Sequence, residues 1–230
     1  MKEHSVISDP VLHAKEKYEE NFFTDETVFP WQAYASFCTT GQFARLENGF
    51  VRHCGPTAIT NLVLMLRARF PESAKAASPE EIFLHSAAIG KKLFIYHNMD
   101  LFHLYGGTNN LLAGIYIEKC LQSFGFPCRI LNYFGSQSAV HGGRLRLIRR
   151  IPANPATMEQ ELRKGRLLYL MLHHHRCYGS HHVICSGFRV LKSSSSEREE
   201  RYFLIADGWS SSPRYLAASE LGFCSYYSVF

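Results

Sequence analysis

The chain has no apolar run of the ~18 residues that a membrane-crossing helix needs. Its longest such stretches, Leu167–Leu172 among them, are strand-sized. The segment Met1 to Glu20 is charged and lacks the apolar centre of a secretory signal. No Cys-x-x-Cys pair occurs, and the seven cysteines (Cys38, Cys54, Cys120, Cys128, Cys177, Cys185, Cys224) are odd in number and widely spaced. That pattern speaks against a zinc knuckle and against a disulfide framework, and it suits a reducing compartment such as the cytoplasm. Excess charge is also lacking: 25 Lys and Arg face 20 Asp and Glu, a net of +5, with no basic stripe interleaved with aromatics. Nucleic acid and membrane are therefore not expected partners. Internal repeats and an interdomain linker are lacking as well. With 46% hydrophobic and 20% charged residues over 230 positions, the chain has the composition of a soluble globular protein with a full core.

What is present falls into two halves. Residues 1–30 are polar, with a helix-compatible patch at Val11–Glu20 and a break at Phe29-Pro30, and read as a surface arm. Thr39–Arg52 has two glycines and no sustained period, and reads as loop. From Pro56 the apolar residues Ile59, Leu62, Val63, Leu66 and Phe70 recur at spacings of three and four, which predicts a mostly buried helix stopped by Pro71. Ser78-Pro79-Glu80-Glu81 opens a second helix with a serine cap and acids at its positive end. A third helix is expected after Gly106-Gly107, capped by Thr108 and stopped at Gly125.

Beyond that point strands dominate. Phe126–Tyr133 is a strand candidate, Gly135–Arg150 a basic loop in which Gly142-Gly143 reads as a turn, and Thr157–Lys164 a short helix. Arg166–His173, His182–Leu191 and Arg201–Asp207 are strands, the last two joined by the solvated tip Lys192–Glu200. Helices first and antiparallel strands later predict an α+β fold. It is read as a single domain over 31–230, helical to about 125 and sheet-forming from about 126.

Three features carry chemistry. Cys54, in Arg52-His53-Cys54-Gly55-Pro56-Thr57-Ala58, stands where the free amides and dipole of the buried helix favour an anion. His181 and His182 open an apolar strand that ends in Gly187-Phe188. Asp207 closes the next strand, two residues before Trp209, and the hairpin lays it beside His181. Cysteine, histidine and carboxylate supply a nucleophile, a general base and an orienting group.

These motifs resemble papain-like cysteine peptidases. Cys-Gly-Pro-Thr-Ala is most similar to the bacteriocin-processing (double-glycine leader) peptidases and their standalone bacterial relatives. The resemblance implies Cys54 as nucleophile, His181 as base and Asp207 as orienter, in a thioester mechanism that needs no cofactor and acts on a peptide or protein. It implies Trp209 as a shield over the His–Asp pair, and Gly106-Gly107 as the backbone that receives an extended substrate. Such enzymes place an oxyanion-hole glutamine about six residues before the nucleophile. Here that position is Asn48, which spacing favours; the nearest glutamine is Gln42, twelve before. The count also selects His181 over His182, since adjacent strand residues face opposite ways.

The alternatives are a catalytically silent module of the same fold, a papain-like acyltransferase or amidase, and a zinc hydrolase built on His173-His174-His175. The last lacks diagnostic ligand spacing and flanking acids.

Overall fold

The computed structural model describes residues 6–29, 36–71, 75–98, 107–108, 113–126, 130–132 and 154–229. In chain order the elements are α1 (Pro10–Tyr18), β1 (Phe22–Val28), α2 (Thr40–Phe43), α3 (Cys54–Arg69), α4 (Pro79–Lys92), β2 (Tyr96–His97), β3 (Gly107–Thr108), α5 (Ala113–Ser123), β4 (Ile130–Asn132), α6 (Pro155–Arg163), β5 (Leu167–His175), β6 (Gly179–Ser193), β7 (Glu199–Ala206), β8 (Arg214–Ala217) and β9 (Phe223–Val229).

Local chemistry accounts for the helix starts. Proline in the first turn of α3 removes an amide that has no intrahelical partner there. In α4 the Ser78 hydroxyl accepts from the Glu81 amide at 3.2 Å while the Glu81 carboxylate accepts from the Ser78 amide at 2.6 Å. This reciprocal cap is worth about 1 kcal/mol. Asn154 caps α6 through the Ala156 amide. Helix α3 is apolar around most of its circumference and is accordingly buried from Gly55 through Val63.

Seven of the described strands form one antiparallel sheet in the order β4-β9-β5-β6-β7-β8, with β1 also paired to β6, and β2 and β3 pair separately. Strand β6 is long enough for two neighbours on one side. Its first half pairs β5, its second half pairs β1, and β7 lies along the other side. Alternation along β6 divides the core. Ile184 joins α3, α5 and Tyr169 on one face, and Val183 and Cys185 join Met158 and Leu162 of α6 on the other. The architecture is α+β with an antiparallel sheet, and among the described residues no helix is long and apolar enough to cross a membrane.

Several expectations change. Residues 22–28 are not a plain surface arm but a strand in register with Phe188–Ser193. Ala14 of α1 is fully buried on the same side, and Glu26 forms a two-pronged ion pair with Arg163 of α6. Thr39–Arg52 contains α2 and a 3-10 turn, Ala44–Glu47, anchored by buried Phe43. Thr108, expected as a helix cap, pairs with Tyr96 in the small β2–β3 ladder. Strands β8 and β9 had no clear alternation in the sequence, yet β9 pairs along the length of β5. Gly106, Cys128, and the run Gly135–Arg150 with Gly142-Gly143 lie outside the described residues.

Candidate active site

Cys54 is the first residue of α3 and is partly exposed. Its placement depends on Gly55: a Cβ there would come within 2.4 Å of the Thr108 methyl, so only glycine lets the helix start approach β3 this closely. The Gly55 amide, free of intrahelical work, donates instead to the Thr108 hydroxyl at 3.1 Å. Buried His53, before Cys54, is occupied elsewhere: Nδ1 bonds the Thr57 hydroxyl and the ring edge meets Phe83.

His181 sits near the start of β6 and is 5% exposed. Its Nε2 donates to the main-chain carbonyl of Asp207 at 2.6 Å. Nδ1 is left for the Cys54 sulfur, with which the ring is hydrogen-bonded. Two aromatic rings, in contact with each other, pack against the imidazole. Tyr178 stacks at 5.7 Å with a 4° interplanar angle, Trp209 lies at 5.0 Å, and these two rings meet at 4.9 Å.

Asp207 is brought to His181, but in a different role from the one expected. Its carboxylate does not bond the imidazole. Oδ1 accepts from the amides of Trp209 and Ser210, both at 2.9 Å, and Oδ2 accepts from the Tyr178 hydroxyl at 3.2 Å. The carboxylate therefore folds the turn that lays Trp209 over His181, and the carbonyl of the same residue orients the ring. Gly208 makes the turn possible with φ +71° and lies against Thr57 of α3; its carbonyl accepts from the Thr40 amide at 2.7 Å.

The electrostatics follow from these contacts. Burial works to raise the Cys54 pKa, but the hydrogen bond and charge of His181, with further hydrogen bonds from the His182 amide and the Thr108 hydroxyl, bring it below the ordinary thiol value. Burial likewise works against a charged His181. The sulfur, the Asp207 carbonyl and the Asp207 charge outweigh it, and the imidazole is raised. Both shifts favour a thiolate–imidazolium pair. Burial pushes other thiols the opposite way, Cys38 to about 11 and Cys185 to about 12, and raises Cys177 as well.

The remaining sequence candidates separate. Gln42 is exposed on α2, two residues from the Thr40 contact with the Asp207–Trp209 turn. Asn48 closes the 3-10 turn with φ +54°, and its neighbour Glu47 is directed to Lys91 and Asn98. Of the two, Gln42 belongs to the short helix whose first residue, Thr40, contacts the segment that touches the site. Gly107 lies in β3, against the Arg52 carbonyl. Trp209 is half-exposed above His181. The His182 side chain lies on the sheet face that packs against α3, its Nδ1 2.9 Å from the Tyr169 hydroxyl.

The histidine run splays apart. His173 bonds Ser225, His174 takes a turn at φ +53°, and His175 accepts from the Cys177 amide. Among the described residues no group of three or more His, Cys, Asp or Glu could hold a metal ion. Two site residues had no usable sequence signal. Tyr178 reaches Asp207 only because of the β5–β6 turn, and Thr108 followed two glycines in a pattern that suits a helix cap.

No protein-family model, curated protein or solved structure matches the chain.

Proposed function

We propose that the protein is a papain-like cysteine peptidase. The observation that carries this reading is the hydrogen-bonded pair of Cys54, at the positive end of a sixteen-residue helix, and His181, with the first lowered and the second raised in pKa. A helical layer whose leading residue is the nucleophile, packed on an antiparallel sheet that carries the base, supports the fold assignment.

In this mechanism His181 holds the proton of Cys54 and the thiolate attacks the carbonyl carbon of a peptide bond. In this reading the developing oxyanion takes hydrogen bonds from the Cys54 amide and from Gln42, which belongs to the short helix whose Thr40 amide bonds the Gly208 carbonyl. As the C–N bond breaks, His181 delivers its proton to the leaving amine, which departs and leaves a thioester on Cys54. His181 then deprotonates a water that attacks the thioester, releasing the carboxylic product and restoring the thiol. Trp209 and Tyr178 shield one side of the imidazole from bulk water, and the backbone of Gly107 lies at hand for an extended substrate.

The test is selective alkylation. Iodoacetamide at pH 5.5, followed by peptide mapping, is expected to label Cys54 well before the other six cysteines, because thiols near the ordinary value carry almost no thiolate there. His181→Ala is expected to abolish the fast phase, and Cys54→Ala to abolish hydrolysis of a fluorogenic peptide library. Labelling of Cys54 no faster than the rest would overturn the reading.

A further inference from the structure

A buried chain of hydrogen bonds runs from the sheet to the nucleophile and is not part of the Cys–His pair. At its far end, the Tyr169 hydroxyl on β5 lies 2.9 Å from Nδ1 of His182 on β6. The other side of the His182 ring is hydrogen-bonded to the Thr108 main chain. A neutral imidazole has one donor and one acceptor. A main-chain carbonyl only accepts, so Nε2 carries the hydrogen and donates to Thr108, while Nδ1 accepts from Tyr169. That fixes the tautomer with both nitrogens used, and burial holds the ring neutral, near pKa 3.

Thr108 is thereby gripped by its backbone, and its side chain is gripped as well. The hydroxyl accepts from the Gly55 amide at 3.1 Å, and its methyl fills the space that a Cβ on residue 55 would occupy. With its lone pair so engaged, the hydroxyl directs its single hydrogen to the Cys54 sulfur, with which it is hydrogen-bonded. We propose that Thr108 is a positioning residue that holds the Cys54 sulfur as a thiolate facing His181, and that Tyr169 and His182 exist to hold Thr108 in that pose.

This rests on the reading of Cys54 as nucleophile. It gives His182 a function that the count along the strand does not suggest: it is a neutral link, not a second base. The ionisable groups that face Cys54 are His181 from β6, Tyr96 from β2, Tyr116 from α5 and Tyr169 from β5. All three tyrosines are raised by burial and remain uncharged across the working range. The titration of the sulfur is therefore governed by His181 and by neutral donors, of which Thr108 is the side chain.

The experiment is the pH profile of Cys54 alkylation by iodoacetamide in the full chain, for wild type, Thr108→Val, Thr108→Ser and Tyr169→Phe. Thr108→Val keeps the shape and removes both the donor to the sulfur and the acceptor of the Gly55 amide. It is expected to move the midpoint up by about one pH unit and to slow labelling about tenfold below it, the size of one hydrogen bond to an anion. Thr108→Ser keeps the hydroxyl and is expected to lie within about twofold of wild type. Tyr169→Phe is expected to shift the midpoint in the same direction by less. A merely structural Thr108 would lower the melting temperature of the valine variant without moving the midpoint, and that result overturns the inference. If Thr108→Val does not fold, the tyrosine variant decides: an unmoved midpoint refutes the chain. Failure of wild-type Cys54 to label ahead of the other cysteines would instead strike the peptidase reading itself, so the two failures are distinguishable.

Discussion

Replacing His182 with glutamine should flatten the acid dependence of folding stability. The ring is 3% exposed, and burial, with the nearby His181 charge, depresses its pKa from 6.5 to about 3. The unfolded chain takes up the proton that the fold refuses. Such a group gives stability that is complete above pH 6.5 and is lost as pH falls from there toward 3. Between pH 7 and pH 5 the folded ring stays neutral while the unfolded one becomes almost fully charged, a loss of about 2 kcal/mol. Glutamine carries an oxygen to accept from Tyr169 and an amide to donate to Thr108, but it does not titrate. Urea unfolding of both proteins at the two pH values should therefore show the variant losing about 2 kcal/mol less than wild type, with unchanged m. The other downshifted histidines, His13, His53 and His175, and the upshifted His181 are common to both proteins and cancel in the difference. Equal losses in the two proteins would mean that His182 is charged in the folded state, and the reasoning would fail.

Asp207→Asn should keep the Oδ1 acceptor for the Trp209 and Ser210 amides and retain most stability, whereas Asp207→Ala should lose about 2–4 kcal/mol with the turn; equal destabilisation of the two in urea unfolding would refute the scaffold role. Gln42→Ala should lower kcat about 100-fold and Asn48→Ala by less than about twofold in a fluorogenic peptide assay, and the reverse order would restore the spacing-based choice. Deleting residues 1–28 removes β1 from the Phe188–Ser193 edge and uncovers Leu191 and Tyr202, which pack with Phe22 and Ala14. The truncated chain should unfold without a cooperative transition in calorimetry, and an unchanged melting temperature would show the segment to be dispensable.

Legibility in the sequence followed the range over which each determinant acts. Helices α3 and α4 were readable because a proline in the first turn, a capping box and a three-four apolar spacing are all local. The hairpin of β6 and β7 was readable from its polar tip. Strand β1 was not, because its burial pattern shows mostly exposed residues and its partner lies more than 150 positions away. Strand β9 was missed for a related reason: it lies between β4 and β5, and most of its residues are buried, so no alternation marks it. At the site, Cys54, His181 and Asp207 could be picked out by type and order. The atom through which Asp207 acts could not, since main-chain and side-chain acceptors look alike in a sequence.

That last distinction has a chemical consequence. An ionised carboxylate and a main-chain carbonyl both accept from a ring N–H, but only the carboxylate is basic enough to take the proton. With Nε2 donating to the Asp207 carbonyl at 2.6 Å, the neutral imidazole is held in the Nε2–H tautomer and Nδ1 is the basic atom. Nδ1 is the nitrogen left for Cys54, so the imidazole is already turned to the thiol, as the proposed general base must be. The negative charge is still close by, one residue's side chain away, where it raises the imidazole without competing for the hydrogen bond. The carboxylate is in turn held by two amides and a tyrosine hydroxyl, which fix the carbonyl on the same residue. Orientation and electrostatic support for His181 thus come from two groups of Asp207, and asparagine there would lose only the second.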